Sequence, residues 1–347
     1  MQGEGKGKIM KIRKDYLEVI KNNGADVEKL MEQYHVPGMG VTVIEAGKPV
    51  FSGVYGCRDD KGTAMTEDTL FECASLTKSL FATLVMRLAE QGRLELEKPV
   101  AEQYEHEHWS ADPRYLNVTP LHCLSHGTGF PNWGEKPLEF GFDPGTAFSY
   151  SGEGYYLLQH MVQQLEGRPL EESFKENFYE PWKMTQTAVD WTPEVGKCMS
   201  WGFDAEGKVC KIRDAHDDEG LAPEPNAAWS LYSNTADYAE FLCRMINGQG
   251  GLSEESFAAM TTPHNRASYG VSWGLGFGLV DAAPGVCWHW GDNGGFKNFA
   301  VWDKNTGDGA VIFTNGDSGM DLYVELLKEL TDGTFFDDVK AFIQQAE

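Results

Sequence analysis

The chain has 347 residues, 41% of them hydrophobic and 24% charged, enough apolar content to bury the core of a large two-lobed protein. Its 29 basic and 53 acidic residues give a formal net charge of −24, which argues against nucleic acid or an anionic membrane surface as a partner. No apolar run is long enough to suggest a transmembrane span, and the first ten residues lack the apolar stretch of a secretory leader.

Residues 11–34 read as helical, broken near Asn22-Asn-Gly24, and the alternating segments from Met39 and from Val50, joined by Ala-Gly-Lys-Pro, read as a β-hairpin. A helix follows Ser75: Leu76, Leu80, Leu84 and Leu88 recur at four-residue steps, and Gly92 ends it. Residues 94–109 read as loop and connector, and 110–230 as helical patches between Gly/Pro-rich loops, one of them Asp214-Ala-His-Asp-Asp-Glu-Gly220. Helices are expected over 155–165 and about 171–178, after Ser233-Asn-Thr-Ala-Asp237 and after Ser253. From about 270 the pattern turns to strands, with segments at 269–280, 287–290, 297–302 and 309–314, then a final helix over 322–330 and a short tail. Strands at both ends and helices between them predict one α/β (α+β) unit over 1–347: an α/β lobe from about 1–70 and 230–347, with a helical lobe over about 71–229 inserted into it.

Ser75 and Lys78 carry the first chemical signal. Positions i and i+3 share a helix face, so an amine stands beside a hydroxyl at a helix N-terminus, where backbone N–H groups favour developing negative charge. By itself Ser-x-x-Lys is a common pairing of a first-turn serine with a solvated lysine. Two further segments give it context: Ala147-Phe-Ser-Tyr-Ser-Gly-Glu-Gly-Tyr-Tyr156 and Trp288-His-Trp-Gly-Asp-Asn-Gly-Gly-Phe296.

With these segments in order, alongside Leu124-Ser-His-Gly-Thr-Gly-Phe-Pro131 and Leu231-Tyr-Ser-Asn-Thr-Ala-Asp-Tyr238, the chain resembles the serine β-lactamase and penicillin-recognising superfamily over most of its length. The likeness is strongest to the class C-like branch, which includes β-lactamase-fold esterases, D-alanyl-D-alanine carboxypeptidases and D-aminopeptidases. It implies a β-lactamase/transpeptidase-like fold, an antiparallel sheet flanked by helices. It also implies Ser75 as the acylated nucleophile, Lys78 as its proton-transfer partner, and Tyr150 as general base and acid with a phenol pKa depressed by its neighbours. The implied oxyanion hole is the backbone N–H of Ser75 and of Asp292. His289, Trp290, Gly291, Gly152 and Trp133 are the implied substrate-side residues, and Trp229 is a further candidate for the cleft wall.

His126 is implied to be structural, and His106 and His108 read as solvated loop residues rather than metal ligands. No metal or organic cofactor is required, and the oligomeric state is open. Two departures from the resemblance bear on substrate. Members with strong β-lactam activity carry Asn two residues after the tyrosine, where this chain has Gly152. Their Lys-Thr pair is His289-Trp290 here. Both departures favour a small ester or amide over an antibiotic or D-Ala-D-Ala peptide. A D-amino-acid peptidase or weak β-lactamase, and a non-catalytic acylatable sensor, stand as alternatives. Seven scattered cysteines without a Cys-x-x-Cys pair suggest a reduced, cytoplasmic setting.

Overall fold

The structure, a computed structural model, describes residues 8–22, 24–213 and 224–346; the loop expected at 214–220 and most of the N-terminal segment fall outside these. Eight antiparallel strands form one sheet. Its order runs from Lys48–Gly56 through Gly38–Glu45, Gly309–Thr314, Lys297–Asp303, Ala283–Asp292, Gly278–Val280 and Val271–Trp273 to Asn265–Arg266. The N-terminal hairpin thus docks on the C-terminal strands, Met39 opposite Thr314 and Val43 opposite Ala310. The strand Gly38–Glu45 lies in the interior of the sheet, and burial of both its faces overrides the alternation of its sequence.

Each face of the sheet carries its own core. Met39, Val41, Val43, Ile312 and Val301 point toward the helices Lys14–Asn22, Ala25–Gln33, Gly319–Leu330 and Phe336–Ala346. Val311, Phe313, Ala300 and Trp302 point toward the other layer, which holds the helices Thr77–Glu90, Gly152–Glu166 and Thr235–Gly248. The last two begin at side-chain caps, where Ser151 Oγ accepts from Gly154 N at 3.1 Å and Asn234 Oδ1 from Asp237 N at 2.8 Å. The helix Thr77–Glu90 is buried along nearly its whole length, and the chain leaves it through Gly92 at φ 68°.

Several elements depart from the sequence reading. The supposed tail holds an eleven-residue helix, Phe336–Ala346, whose Phe336, Val339, Phe342 and Ile343 are buried against the sheet. Residues 100–103 form a short helix within the expected connector. The strand Phe71–Ala74 pairs with Leu231–Ser233 in a second, three-stranded sheet, and Gly202–Phe203 with Val209–Lys211 forms a small hairpin. The segment expected as one strand at 269–280 is two strands around a turn, with Gly276 at φ 87°. These strands have two to four residues, too short for a period to be read.

Candidate active site

Ser75 stands where the strand Phe71–Ala74 turns into the helix Thr77–Glu90. The turn is tight: Ala74 adopts φ 50°, a left-handed conformation that a non-glycine residue holds only under constraint. The constraint is visible, for Thr77 Oγ1 donates to Ala74 O at 2.6 Å and accepts from Leu231 N at 3.0 Å, tying the turn to the neighbouring strand. Ser75 itself is partly exposed, while Lys78 is 1% exposed.

Lys78 Nζ donates to Ser75 Oγ at 3.1 Å and to Ala228 O at 2.7 Å. Both partners are uncharged. Burial pushes the Lys78 amine well below the usual lysine range, toward the neutral form that accepts a proton. The amine also lies 4.8 Å from the centre of the Tyr150 ring and 5.5 Å from that of Tyr155.

Tyr150 is buried, and among the described residues its hydroxyl has no hydrogen-bond partner. Burial raises its pKa, against the depression expected from the sequence. The expectation assumed that a neighbouring cation would prevail, but the burial of Tyr150 itself outweighs it, and burial also pulls the Lys78 amine well below the usual lysine range. Ser75 is the one nearby group that favours the phenolate, and the pair lacks hydrogen-bond geometry at rest, so burial dominates. Tyr150 is therefore a protonated phenol, able to donate.

The strand Ala283–Asp292 forms the opposite wall. Its pairing with Gly278–Val280 ends at Trp288, so His289–Asp292 runs unpaired on that side while still paired to Lys297–Asp303 on the other. Gly291 is required here: a Cβ at this position would sit 2.1 Å from Cys73 O and 3.2 Å from Ala74 Cβ. The strand therefore abuts the turn that presents Ser75, and Asp292 follows directly. The buried Glu72 carboxylate braces the junction, accepting from Asn293 Nδ2 at 3.0 Å and Lys211 Nζ at 3.1 Å. The Asp292 side chain points to Lys297 and to Gly294 N, leaving its backbone as its candidate contribution.

His289 is 1% exposed; its Nδ1 pairs with Trp290 O at 2.8 Å and its Nε2 is unpartnered. Burial, helped by Lys78, pulls its pKa down to about 3, so this imidazole is neutral. Trp290 is 4% exposed and packs on Tyr150, ring centres 4.6 Å apart, within an aromatic group that includes Trp273, Trp288 and Phe342. The position is filled by a packed indole rather than by a hydroxyl. Trp229, half-buried, adjoins Ala228 and accepts from Asn293 Nδ2 at 3.4 Å. Gly152 opens the helix Gly152–Glu166, and the exposed indole of Trp133 lies directly on it.

His126 is more intimately placed than its loop motif suggests. It is fully buried, holds φ 56°, accepts from Ser151 N at 3.0 Å through Nδ1, and lies 4.2 Å from the Tyr150 ring centre. Its Nε2 is unpartnered and burial keeps it neutral. The only sequence signal was a histidine flanked by small residues, and one sequence cannot say which tyrosine such a loop will meet. Phe342 was invisible for a similar reason, since it reaches the site from a helix not foreseen. His106 is half-buried, stacked 4.1 Å from Tyr104 and hydrogen-bonded to Tyr104 O and Tyr115, so it is a packed residue and not a solvated one. Among the described residues no His/Cys/Asp/Glu group is arranged to hold a metal ion, and no helix is long and apolar enough to cross a membrane.

A sheet covered by helices on both faces, with Ser and Lys one helical turn apart, a tyrosine over the lysine, and a free strand edge facing the serine defines the β-lactamase-fold class of serine hydrolase. The Beta-lactamase family model matches residues 25–330, and the chain belongs to that family. Among curated proteins it is 25% identical to "Penicillin-binding protein 4" of Amycolatopsis lactamdurans over 349 aligned residues, covering 87% of each chain. It is 21% identical over 315 residues to "Protein flp" of Staphylococcus aureus (strain N315), covering 83% of this chain but only 61% of that protein. Solved structures of similar fold include a D-alanine carboxypeptidase AmpC from Burkholderia cenocepacia (TM-score 0.75, 20% identity, 91% of this chain and 98% of that one). Another is an octameric penicillin-binding protein homologue from Pyrococcus abyssi (TM-score 0.74, 22% identity, 85% and 74%).

Proposed function

We propose that the protein hydrolyses small, uncharged esters or amides through an acyl-enzyme on Ser75. The observation that carries this reading is the Lys78–Ser75 hydrogen bond of 3.1 Å, made by a fully buried amine with no acidic partner. Neutral Lys78 takes the Ser75 proton as Oγ bonds to the carbonyl carbon. The backbone N–H groups of Ser75 and Asp292 hold the tetrahedral oxyanion. Tyr150 then gives its proton to the departing alkoxide or amine as the C–O or C–N bond breaks, and recovers one from the Lys78 ammonium. Water repeats the sequence on the acyl-enzyme, with the proton flow reversed, releasing the acid and restoring Ser75.

The preference for uncharged substrates rests on what surrounds the serine. His289 is neutral, Trp290 is a packed indole, and burial disfavours the charged form of Lys78, so these groups give a substrate carboxylate little to pair with. A D-amino-acid or D-alanyl peptidase is the second reading, favoured by the fold shared with a D-alanine carboxypeptidase and the relationship to a penicillin-binding protein. A non-catalytic sensor is disfavoured by the intact and mutually contacting Ser75, Lys78 and Tyr150. Seven unpaired cysteines suit a reducing, cytoplasmic location.

A panel of p-nitrophenyl esters, D-aminoacyl amides and nitrocefin, run on wild type and Ser75→Ala, tests the reading. Ester turnover that disappears in Ser75→Ala supports it. Release of D-amino acids with no ester turnover assigns the site to the second reading. Fluorophosphonate labelling of Ser75 without turnover of any class leaves a sensor.

A further inference from the structure

The loop Pro131–Gly134 is clamped onto the start of the helix Gly152–Glu166. Ser151 Oγ donates to Pro131 O at 2.8 Å, Gly152 N to Asn132 Oδ1 at 2.9 Å and Asn132 O at 3.0 Å, Glu153 N to Asn132 O at 3.1 Å, and Gly134 N to Glu153 Oε1 at 3.1 Å. The first three amides of this helix are thereby occupied, Gly154 N by Ser151 Oγ. The helix start, two residues past Tyr150, has no free donor for an anion.

What the clamp presents instead is Trp133. It is the one exposed tryptophan among the described residues, at 48%, although its backbone is fixed on both sides. Its six-membered ring occupies the space above Gly152: a Cβ there would lie 2.4 and 2.5 Å from Cζ2 and Cη2. The glycine and the indole are therefore complementary, and the ring lies where a side chain at 152 would otherwise stand. A large apolar ring seated on Gly152, half in water and beside the segment that carries Tyr150, is a surface awaiting an apolar partner.

Resting on the ester-hydrolase reading above, we infer that Trp133 is the specificity residue of the site: it stacks on an apolar, planar substituent of the acyl group, and Gly152 is glycine to let it do so. The preferred substrates are uncharged arylacyl esters, ahead of simple acetyl esters and of acyl groups carrying a polar amide.

The test compares kcat/KM for p-nitrophenyl phenylacetate with that for p-nitrophenyl acetate. The readout is their ratio, which a general loss of activity does not move. In wild type the ratio favours phenylacetate. In Trp133→Ala it falls roughly tenfold, the scale of one aromatic stacking contact. Trp133→Phe keeps most of it, and Gly152→Ala, which pushes the ring aside, lowers it with the indole still present. An unchanged ratio in Trp133→Ala overturns the inference. If wild type cleaves neither ester, it is the ester reading that falls. The role of Trp133 is then decided by the affinities of benzylboronic and methylboronic acid, which need only a nucleophilic Ser75. A benzyl preference lost in Trp133→Ala upholds the assignment, and equal affinities in wild type, or no binding of either, reject it.

Discussion

Lys78 donates to Ser75 Oγ at 3.1 Å, and its other partner is a carbonyl, Ala228 O, at 2.7 Å. A buried amine held between two uncharged oxygens is cheaper neutral than charged. On the proposed mechanism its protonation state sets the acid limb of activity. The rate of acylation should rise with pH as Lys78 loses its proton, with an inflection well below the ordinary lysine range. A pH profile of kcat/KM for a neutral ester checks this, and Lys78→Arg should lose the activity at every pH.

The same amine bears on stability. Between its depressed folded pKa and the ordinary lysine value the unfolded chain binds one more proton, so wild-type stability falls as pH drops through that window. Lys78→Met removes this dependence. The variant should be inactive yet gain stability relative to wild type on going from pH 10 to pH 7, a difference measurable by urea unfolding at the two values.

Tyr150 presents a buried hydroxyl without a partner among the described residues. Tyr150→Phe should reduce kcat roughly 100-fold or more by removing the proton donor, while costing no stability and gaining up to ~1 kcal/mol from relief of an unpaired polar group. Single-turnover kinetics and thermal unfolding on the same preparation separate the two effects. A thermal stability well below wild type would show that the hydroxyl has a partner in the folded state.

Gly291 allows the free strand edge to meet the serine turn. Gly291→Ala drives a methyl into Cys73 O, and should cost about 1–3 kcal/mol of stability and displace the Asp292 amide from Ser75. Acylation should fall more than substrate binding, because the oxyanion contact matters most in the transition state. Comparing kcat with KM at a temperature where the variant stays folded reads this split.

His289 is buried and neutral with its pKa at about 3. Below the ordinary histidine value the unfolded chain takes up a proton that the folded chain refuses, so stability is lost as pH falls from about 6.5 toward 3. His289→Gln should flatten that acid loss. Unfolding midpoints at pH 4.5 and pH 7 measure it, and an equal drop in both proteins would assign the acid sensitivity elsewhere.

The parts of the molecule that could be read beforehand are those where local pattern and tertiary demand agree. The leucine stripe from Leu76 to Leu88 and the caps at Asn234 and Ser253 place their helices to within a residue or two. The spacing of Ser75 and Lys78 brings the two side chains into contact as the helix geometry requires. What could not be read depends on environment that spacing does not encode. Tyr150 is raised where a neighbouring cation was expected to lower it, because its own burial is the larger effect. Trp290 is packed, His126 lies against the Tyr150 ring, and Trp133 sits on Gly152, all through contacts between segments far apart in the chain. The helix Phe336–Ala346 escaped notice because its four buried residues are too few to stand out beside a polar tail.

That last helix lies beyond the stretch matched by the family, yet its Phe342 is wedged against Trp273, Trp288 and Trp290, the ring group that supports Tyr150. The surroundings of Tyr150 are therefore incomplete until residue 342 has left the ribosome, some 270 residues after Ser75. A chain in synthesis carries its serine, lysine and tyrosine long before it has the wall behind them.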